Sequence, residues 1–401
     1  MFTLSGSNIK NSENRFLSRV SNKILKEYLR VNVPLKPEDY LIRTPVERDQ
    51  RVIEVWFRTR GCHHFLRGGC TMCNYGLDAD VSPNQIADFV HRALDCTTLD
   101  NNSRLLVSPS GSFLDDWEVP EIARKEILTT LSKLPWASLI FETRAQYVTR
   151  ERIAEIRDLL GNRDVIVDIA LECSDPWILK YSINKNLSLD DFLGALEILK
   201  TNNLKTSTNI LLGAPFLSEQ ERIWKAVESI YWAFNHGVDE CCVFPVHIKK
   251  GTLVHWLWKK GVYQPPSLWS LVEVLKNIAT EYYPNLSIAW HKPYYENTKS
   301  VEMIYSLAPT TCPLCYQTVT KLLDEYLDKR EVAIISKLDN LECKCKDDWH
   351  RRLLTPQPQL IDRVVKCYKL IGITILGQEW WDLHRSGILD DLRKSFANKG
   401  D

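Results

Sequence analysis

The chain has 401 residues, 44% of them hydrophobic and 25% charged, which is the composition of a folded globular protein with a sizeable core. Its formal net charge is +0, so the chain as a whole lacks the basic excess typical of nucleic-acid-binding proteins, although a local basic face is compatible with that balance. No apolar run approaches the length of a membrane span, and the polar first residues carry no secretory signal.

Cysteine usage indicates the compartment. The chain contains 12 cysteines, several of them in close groups. In a chain of this length, such grouping is typical of metal ligands in a reducing compartment rather than of a disulfide scaffold. We therefore expect a cytoplasmic protein with no membrane partner.

The first predicted element is an amphipathic helix from Asn14 to Arg30, because an apolar side chain recurs every four positions. The apolar positions are Phe16, Val20, Ile24 and Tyr28. Four basic side chains lie outside this stripe and form either a phosphate-contacting face or a solvated one: Arg19, Lys23, Lys26 and Arg30. Two prolines then mark a linker, so residues 1–50 are predicted to be an N-terminal helical extension.

A three-cysteine loop follows the apolar, β-prone run at 52–57. Cys62, Cys70 and Cys73 are spaced C-x7-C-x2-C. Four thiolates close a structural zinc site, whereas three leave a metal position open and suit a [4Fe-4S] cluster whose fourth iron binds a non-protein ligand. Two alternatives remain open: a zinc site completed by His63 and His64, and three core thiols grouped by chance.

Strands and helices alternate from residue 51 to about residue 247. The strand-like runs are Val52–Arg58, Arg104–Val107, Ala137–Phe141, Val165–Leu171, Thr206–Leu212 and Glu240–Val246. Six βα units predict an α/β fold with a parallel sheet. A partial (β/α)6 barrel over residues 51–250 fits better than a doubly wound sheet, because no G-x-G-x-x-G follows a strand.

The ends of these strands carry the predicted binding residues, since the chemistry of such barrels lies where strands end. The small residues Ser110, Gly111 and Ser112 follow the second run and suit the amino-acid part of a ligand. Glu142 and Arg144 follow the third, with the guanidinium suited to a bidentate carboxylate contact.

The later strand ends extend the predicted site. Glu172 follows the fourth run and suits the hydroxyls of a ribose, while Gly213 follows the fifth and permits close approach of a flat ring such as adenine. A structural Glu–Arg pair is the alternative for the charged residues, because an unpaired buried charge is costly.

A second metal site is predicted beyond the barrel, in residues 251–350. Its four thiols form two tight pairs: Cys312, Cys315, Cys343 and Cys345. Such a set closes an all-cysteine zinc site that would hold together an α-rich C-terminal subdomain, with a second iron–sulfur cluster as the alternative. Residues 351–401 are predicted to form a helical cap.

Several motifs together resemble the radical SAM superfamily, and within it the radical SAM subunit of archaeosine synthase. More distantly they resemble the radical SAM domain of the Elongator catalytic subunit. The segments that carry the resemblance are 58–76, 111–115, 141–149, 170–175, 182–185, 214–221 and 261–270. The resemblance implies that the cysteines of the loop hold a [4Fe-4S] cluster, that Ser110 to Ser112 meet the amino group of S-adenosyl-L-methionine (SAM), and that Glu172 meets its ribose.

The resemblance also implies a reaction. Reductive cleavage of SAM yields a 5′-deoxyadenosyl radical that abstracts hydrogen from the substrate, which in the archaeosine enzyme is a lysine adduct of a 7-deazaguanine in tRNA, and a C–N bond is cleaved. It further implies an electron donor such as ferredoxin or flavodoxin and a partner subunit that supplies RNA binding. Two alternatives remain: the same radical chemistry on a small metabolite, nucleoside or natural-product precursor, and a non-catalytic, zinc-bound RNA-binding protein.

Overall fold

A mostly parallel sheet forms the centre of the computed structural model, which describes residues 14–31, 39–47, 50–75, 81–109, 111–293 and 305–398. The strands are β1 (Tyr40–Arg43), β2 (Val46–Glu47), β3 (Gln50–Phe57), β4 (Arg104–Ser108), β5 (Ser138–Thr143), β6 (Asp164–Ile169), β7 (Lys205–Leu212), β8 (Glu240–Pro245), β9 (Ile248–Lys249), β10 (Leu286–Ile288) and β11 (Tyr305–Leu307). The six predicted strands, now β3 to β8, are confirmed to within two residues at each end.

The strand order is β1-β3-β4-β5-β6-β7-β8-β10, with β2 paired to β3. Strands β3 to β8 and β10 are parallel, whereas β1 and β2 run antiparallel to β3. Because the parallel strands follow chain order without a reversal, the sheet is an open half-barrel and not a doubly wound sheet. The predicted fold class is confirmed, and β10 adds a seventh parallel strand that the sequence did not predict.

The helices begin and end where the sequence supplies caps. They are α1 (Arg15–Val31), α2 (Pro83–Asp95), α3 (Glu121–Ser132), α4 (Arg150–Leu160), α5 (Pro176–Ile178), α6 (Leu189–Thr201), α7 (Glu219–Asn235), α8 (Leu253–Lys259), α9 (Leu268–Lys276), α10 (Tyr316–Lys329), α11 (Val332–Asp339), α12 (Lys344–Leu354), α13 (Leu360–Ile371) and α14 (Gln378–Ala397). Ser82 and Ser218 each form a capping box at the start of a helix, with Gln85 and Glu221 respectively, and each box satisfies two backbone groups at the helix end.

Two hydrophobic cores hold these elements together. The first lies between the sheet and its outer helices, and it also receives α10 and α12 through Leu323, Tyr326 and Trp349. The second contains α1, α8, α13 and α14 packed against the segment 173–183. Helix α1, from the predicted extension, therefore shares a core with the predicted C-terminal cap, and the domain boundaries stay predictions.

Contacts between the two ends of the chain are specific. Phe16 of α1 lies 4.8 Å from Tyr368 of α13, measured between ring centroids. The Tyr368 hydroxyl donates to the carbonyl of Tyr181 at 2.7 Å and accepts from the Asn14 amide at 2.9 Å. In the described part of the chain, no helix is both long enough and apolar enough to cross a bilayer.

Candidate active site

The three-cysteine loop, residues 61–75, follows β3 at the end of the sheet where the parallel strands finish. Two neighbouring segments fix its backbone. The Thr71 N–H donates to the Ile183 carbonyl at 2.9 Å, and the Thr71 carbonyl accepts from the Val254 N–H at 3.0 Å. The Cys62 N–H closes the loop on the carbonyl of its last residue at 2.9 Å. The loop is therefore anchored on both sides by protein contacts.

Helix α1 packs directly on this loop. Gly68 has a φ of 114°, and a Cβ at this position would lie 2.4 Å from the Ser18 Cα. Asn184, in the left-handed region with a φ of 56°, donates from its amide to the Gly69 carbonyl at 2.8 Å and to the Ser18 hydroxyl at 3.0 Å. One side chain thus joins the loop, the helix and the segment after α5.

The two histidines of the loop have other partners than a metal ion. His64 Nε2 lies 2.7 Å from the Asn184 carbonyl, and burial lowers the pKa of His64 to about 3. His63 stacks on Trp117 with 5.4 Å between ring centroids. Among the described residues, the four C-terminal cysteines are the one set of three or more potential metal ligands whose atoms lie within 4.8 Å of one another. The geometry therefore does not favour a zinc ion held by these histidines and the loop cysteines.

The loop thiols are half-buried and lie beside cationic groups. Burial raises the pKa of Cys62, opposed by the Arg144 guanidinium, and raises the pKa of Cys70 to about 12, opposed by the Lys185 ammonium. The nearby Cys73 thiol raises both pKa values further. Metal binding requires the thiolate, and adjacent cations stabilise it. Three such thiols, too far apart to share one ion, fit the wider cage of an iron–sulfur cluster.

The loop after β4 packs around a buried carboxylate. Ser110 lies outside the described residues. A Cβ on Gly111 would lie 2.2 Å from Glu118 Oε1, and the Ser112 N–H donates to Glu118 Oε2 at 2.7 Å. Thr59, two residues before the cysteine loop, donates to Oε1 at 3.2 Å. Burial raises the pKa of Glu118 to about 8.

Glu142 and Arg144, predicted from the end of β5, have different surroundings. Glu142 accepts from the Ser108 hydroxyl at 2.7 Å, and burial together with the Asp168 carboxylate raises its pKa to about 8. The Arg144 guanidinium donates to two backbone carbonyls in the segment 185–186, at 3.0 and 2.9 Å. In the structure the Arg144 guanidinium therefore fixes a loop through its backbone carbonyls, and its contact with a ligand carboxylate stays a prediction.

Glu172 lies three residues after β6 in a left-handed conformation, with a φ of 68°. Its Oε1 accepts from the Lys185 ammonium at 2.7 Å, and both side chains are buried. Its Oε2 is buried and has no hydrogen-bond partner among the described residues. The charged partner is thus a lysine rather than the arginine considered from the sequence. One carboxylate oxygen remains able to accept a hydrogen bond from a ligand.

Gly213 adopts a φ of 116° at the end of β7. A Cβ would lie 3.0 Å from Pro266 Cδ, and the Tyr263 hydroxyl donates to the Gly213 carbonyl at 2.7 Å. The structure therefore accounts for this glycine by its backbone conformation and by the packing of the segment 263–266.

Three buried side chains of the site were not assigned from the sequence: Glu118, Lys185 and Lys249. Lys185 is the last residue of the S-I-N-K motif, which is the one signal by which it could have been found. The Lys249 ammonium lies 3.8 Å from the ring centroid of Tyr75 in the cysteine loop, and burial lowers its pKa to about 8. Its charge adds to those of Arg144 and Lys185 around the thiols.

The four C-terminal cysteines form a compact second cluster. The Sγ–Sγ distances are 3.6 Å for Cys312–Cys315, 3.4 Å for Cys312–Cys343, and 3.5 Å for both Cys315–Cys345 and Cys343–Cys345. A tetrahedral ion with metal–sulfur bonds of about 2.3 Å sets its ligands about 3.8 Å apart. The cluster therefore fits one metal ion, whereas an iron–sulfur cage would spread the thiols farther.

Both cysteine pairs lie at helix N-termini. Cys315 immediately precedes α10, and Cys343 immediately precedes α12. The partial positive charge of a helix N-terminus stabilises thiolates, which a metal ion requires. The Trp269 indole N–H also donates to Cys345 Sγ at 3.2 Å. A metal-binding cysteine cluster in the C-terminal region is thus supported.

No protein-family model matches the chain. It is 31% identical over 307 residues to archaeosine synthase subunit beta of Methanosarcina acetivorans, covering 76% of this chain and 85% of that protein. It is 30% identical over 298 residues to archaeosine synthase subunit beta of Thermococcus kodakarensis, covering 73% and 88%. The chain belongs to the archaeosine synthase subunit beta family.

The family assignment confirms the motif resemblance to the archaeosine synthase subunit. Among solved structures, the archaeal Methanocaldococcus infernus Elp3 with an N-terminal deletion matches with a TM-score of 0.43 at 16% identity, covering 62% of this chain and 59% of that chain.

Proposed function

We propose that this family member cleaves a C–N bond in a lysine adduct of a 7-deazaguanine base in tRNA by radical SAM chemistry. The observation that carries the proposal is the 31% identity to archaeosine synthase subunit beta of M. acetivorans across 85% of that protein. The lysine adduct and the bond cleaved come from the motif resemblance.

Cys62, Cys70 and Cys73 would hold a [4Fe-4S] cluster and leave one iron open for SAM. When bound, this cluster supplies the electron that breaks a C–S bond of SAM and yields the 5′-deoxyadenosyl radical that abstracts a hydrogen atom from the substrate. The positive charges of Arg144 and Lys185 stabilise the thiolate form of the loop cysteines, which iron requires. The hydrogen bonds of Thr71 keep the loop in one geometry.

The SAM contacts are proposed from the same end of the barrel. Glu172 would accept the ribose hydroxyls with its unpartnered Oε2, while Lys185 holds Oε1 and so fixes the orientation of the carboxylate. The segment 110–112 would meet the SAM amino group, with Glu118 beneath it. Arg144 and Gly213, at the ends of β5 and β7, complete the proposed SAM contacts, whereas Glu142, which the sequence also predicted as a cofactor contact, is proposed to bind the substrate instead.

The inner face of the half-barrel suits a substrate with an ammonium group. Leu139 and Phe141 belong to the core on the helix side, so the alternation of a strand directs Glu142 to the opposite face. Asp168 pairs in register with Glu142 across β5 and β6. A lysine adduct carries a cationic amine that the buried Asp168 carboxylate and the half-buried Glu142 carboxylate would bind, because an ammonium relieves the cost of removing their charge from water. This contact would hold the lysine part of the substrate in one place and so fix the position of the C–H bond that reacts.

The remaining proposals concern partners and the second metal. We propose zinc for the four C-terminal cysteines, because four thiolates in tetrahedral spacing form a closed structural site. We also propose a cytoplasmic location, where free thiols and clusters persist, an external electron donor such as ferredoxin or flavodoxin, and a partner subunit that contributes to RNA binding.

The test is anaerobic reconstitution with iron and sulfide, followed by addition of SAM and a reductant. We expect a cubane-type absorbance, a change in its electron paramagnetic resonance spectrum with SAM, and release of 5′-deoxyadenosine. Cys70→Ala should abolish all three signals. Cys367→Ala, which removes a thiol of the C-terminal cap, is the matched control and should retain them. Unchanged iron content and SAM cleavage in Cys70→Ala would refute the cluster assignment.

The substrate is tested by supplying tRNA that carries the lysine adduct and, separately, the free modified nucleoside. Mass spectrometry should detect an amidine on the tRNA. SAM cleavage stimulated by the nucleoside but not by the tRNA would assign the chemistry to a small molecule instead.

A further inference from the structure

Helix α1 carries a stripe of cations on one face. Its members are Arg15, Arg19, Lys23, Lys26 and Arg30, all exposed. With about 100° of rotation per residue, the five positions fall within about 80° of one another, and with 1.5 Å of rise they extend over about 22 Å. The opposite face of the helix, with Phe16, Leu17 and Val20, is buried in the second core. The stripe is therefore a straight basic edge on the surface.

The stripe is not neutralised by neighbouring acids. Within the described residues, no carboxylate oxygen lies within 4.0 Å of any of its five charged groups. Glu27 is the one acidic residue of α1. Because the whole chain has a formal net charge of +0, the remainder of the molecule is net acidic. A polyanion would therefore be attracted to this face more strongly than to the rest of the molecule taken together.

Helix α8 extends the basic surface. It packs beside α1, where the Tyr28 ring lies against Gly251. Three exposed lysines lie at or near the ends of α8, also with no carboxylate within 4.0 Å among the described residues: Lys250, Lys259 and Lys260. Burial, with Lys259 and Lys250 nearby, lowers the pKa of the half-buried His255 to about 4. These lysines add their positive charge to that of the stripe on α1.

Both helices contact the three-cysteine loop. Ser18 of α1 lies against Gly68, and the Val254 N–H of α8 donates to the Thr71 carbonyl. A polyanion on this surface would lie beside the mouth of the half-barrel. A protein partner would need an apolar interface core, and the stripe has none. A regular row of unpaired cations instead matches the repeated charges of a phosphate backbone.

We propose that the basic surface of α1 and α8 docks the sugar–phosphate backbone of tRNA and brings one nucleotide to the mouth of the half-barrel. The proposal rests on the proposed function and specifies where its RNA substrate binds. It reconciles a chain of zero net charge with an RNA substrate, because the relevant charge is local.

The test compares two triple variants. The first is Arg15→Gln with Lys23→Gln and Lys26→Gln, which omits Arg19 because that guanidinium stacks on Trp380. The matched control is Arg150→Gln with Lys133→Gln and Lys200→Gln, three exposed cations on or directly after the outer helices. Glutamine keeps helix propensity, so both variants should fold. Binding of an in vitro transcribed tRNA is measured by fluorescence anisotropy between about 50 and 200 mM salt.

We expect the α1 triple to weaken binding about tenfold or more and to reduce the slope of log K against log salt by about 2 to 3, since each lost phosphate contact removes about 0.7 to 0.9. The control triple should retain the wild-type affinity and slope. Wild-type values in the α1 triple would overturn the proposal. So would loss of a co-purifying protein partner with tRNA affinity intact, which would assign the stripe to a protein interface.

The proposed SAM cleavage is measured separately, as the release of 5′-deoxyadenosine by the wild-type and control proteins in the absence of RNA. SAM cleavage with no tRNA binding by the wild-type protein would overturn the docking surface while leaving the radical chemistry intact. RNA binding that depends on α1, without SAM cleavage, would support the surface and refute the enzyme.

Discussion

Asn184 offers a sharp test of how the cysteine loop is held. Its side chain makes three hydrogen bonds: from Nδ2 to the Gly69 carbonyl at 2.8 Å, from Nδ2 to the Ser18 hydroxyl at 3.0 Å, and to Oδ1 from the Asn14 N–H at 3.1 Å. Asn184→Gly removes all three and keeps the left-handed backbone conformation, which glycine adopts without strain.

The expected loss follows from those bonds. Each is buried and is worth about 1 kcal/mol, so the variant should lose about 3 kcal/mol of unfolding free energy. Asn203→Gly is the matched control, because Asn203 is also left-handed, with a φ of 53°, but is exposed and makes no side-chain hydrogen bond among the described residues. That substitution should change the unfolding free energy by less than about 1 kcal/mol.

The unfolding free energy of both variants is measured by urea denaturation, followed by tryptophan fluorescence, on protein whose cysteine loop holds no metal. The Asn184 variant should also retain less iron after anaerobic reconstitution, because the loop is no longer tied to α1. Equal unfolding free energies for the Asn184 and Asn203 variants, within about 1 kcal/mol, would refute the reasoning that this side chain holds the loop.

Three further predictions address charge and metal. Lys185→Met should cost about 3–5 kcal/mol of unfolding free energy, since it leaves the Glu172 carboxylate buried without its partner, and adding Glu172→Gln should recover most of that loss; no recovery in a double-mutant cycle would contradict the pairing. The pKa of Glu118 is raised to about 8, so its stabilising proton is fully bound below the unfolded pKa and lost as pH rises through about 8. The unfolding free energy of Glu118→Gln should therefore rise relative to that of the wild type between about pH 5 and 8, by at most about 1.4 kcal/mol per pH unit. Urea titrations at several pH values measure this difference, and a difference that does not change with pH would contradict the raised pKa of Glu118. Cys345→Ala should release the C-terminal metal and lower Tm while iron at the other site is retained, as elemental analysis would report; parallel loss of both metals would argue against two separate sites.

Much of the framework was predictable because it depends on local patterns. Apolar runs bounded by polar loops predicted all six central strands, and the four-residue spacing of Phe16, Val20 and Ile24 predicted α1. The short strands β1, β2 and β10 were missed, because each is an edge element too short to carry a pattern of its own.

The site was only partly predictable. Cysteine spacing singled out both groups of thiols, since ligand spacing is a property of the chain itself. The ion-pair partner of Glu172 was not predicted: the sequence offered only a Glu–Arg pair as an alternative, whereas the chain returns after α5 to bring the Lys185 ammonium within 2.7 Å of Glu172. Glu118 was missed, because no local pattern distinguishes a carboxylate that folds under a loop from one in solvent.

The sequence by itself determined the strands, the helix caps and the thiols available to metal, because each depends on residues a few positions apart. Only the tertiary structure decided which cations face those thiols, that the four C-terminal thiols converge within 4.8 Å, and that α1 covers the cysteine loop while packing on helices from the far end of the chain. These outcomes depend on long-range packing, in which a residue's partner is set by how whole helices and strands fill the two cores, and no short pattern encodes that choice.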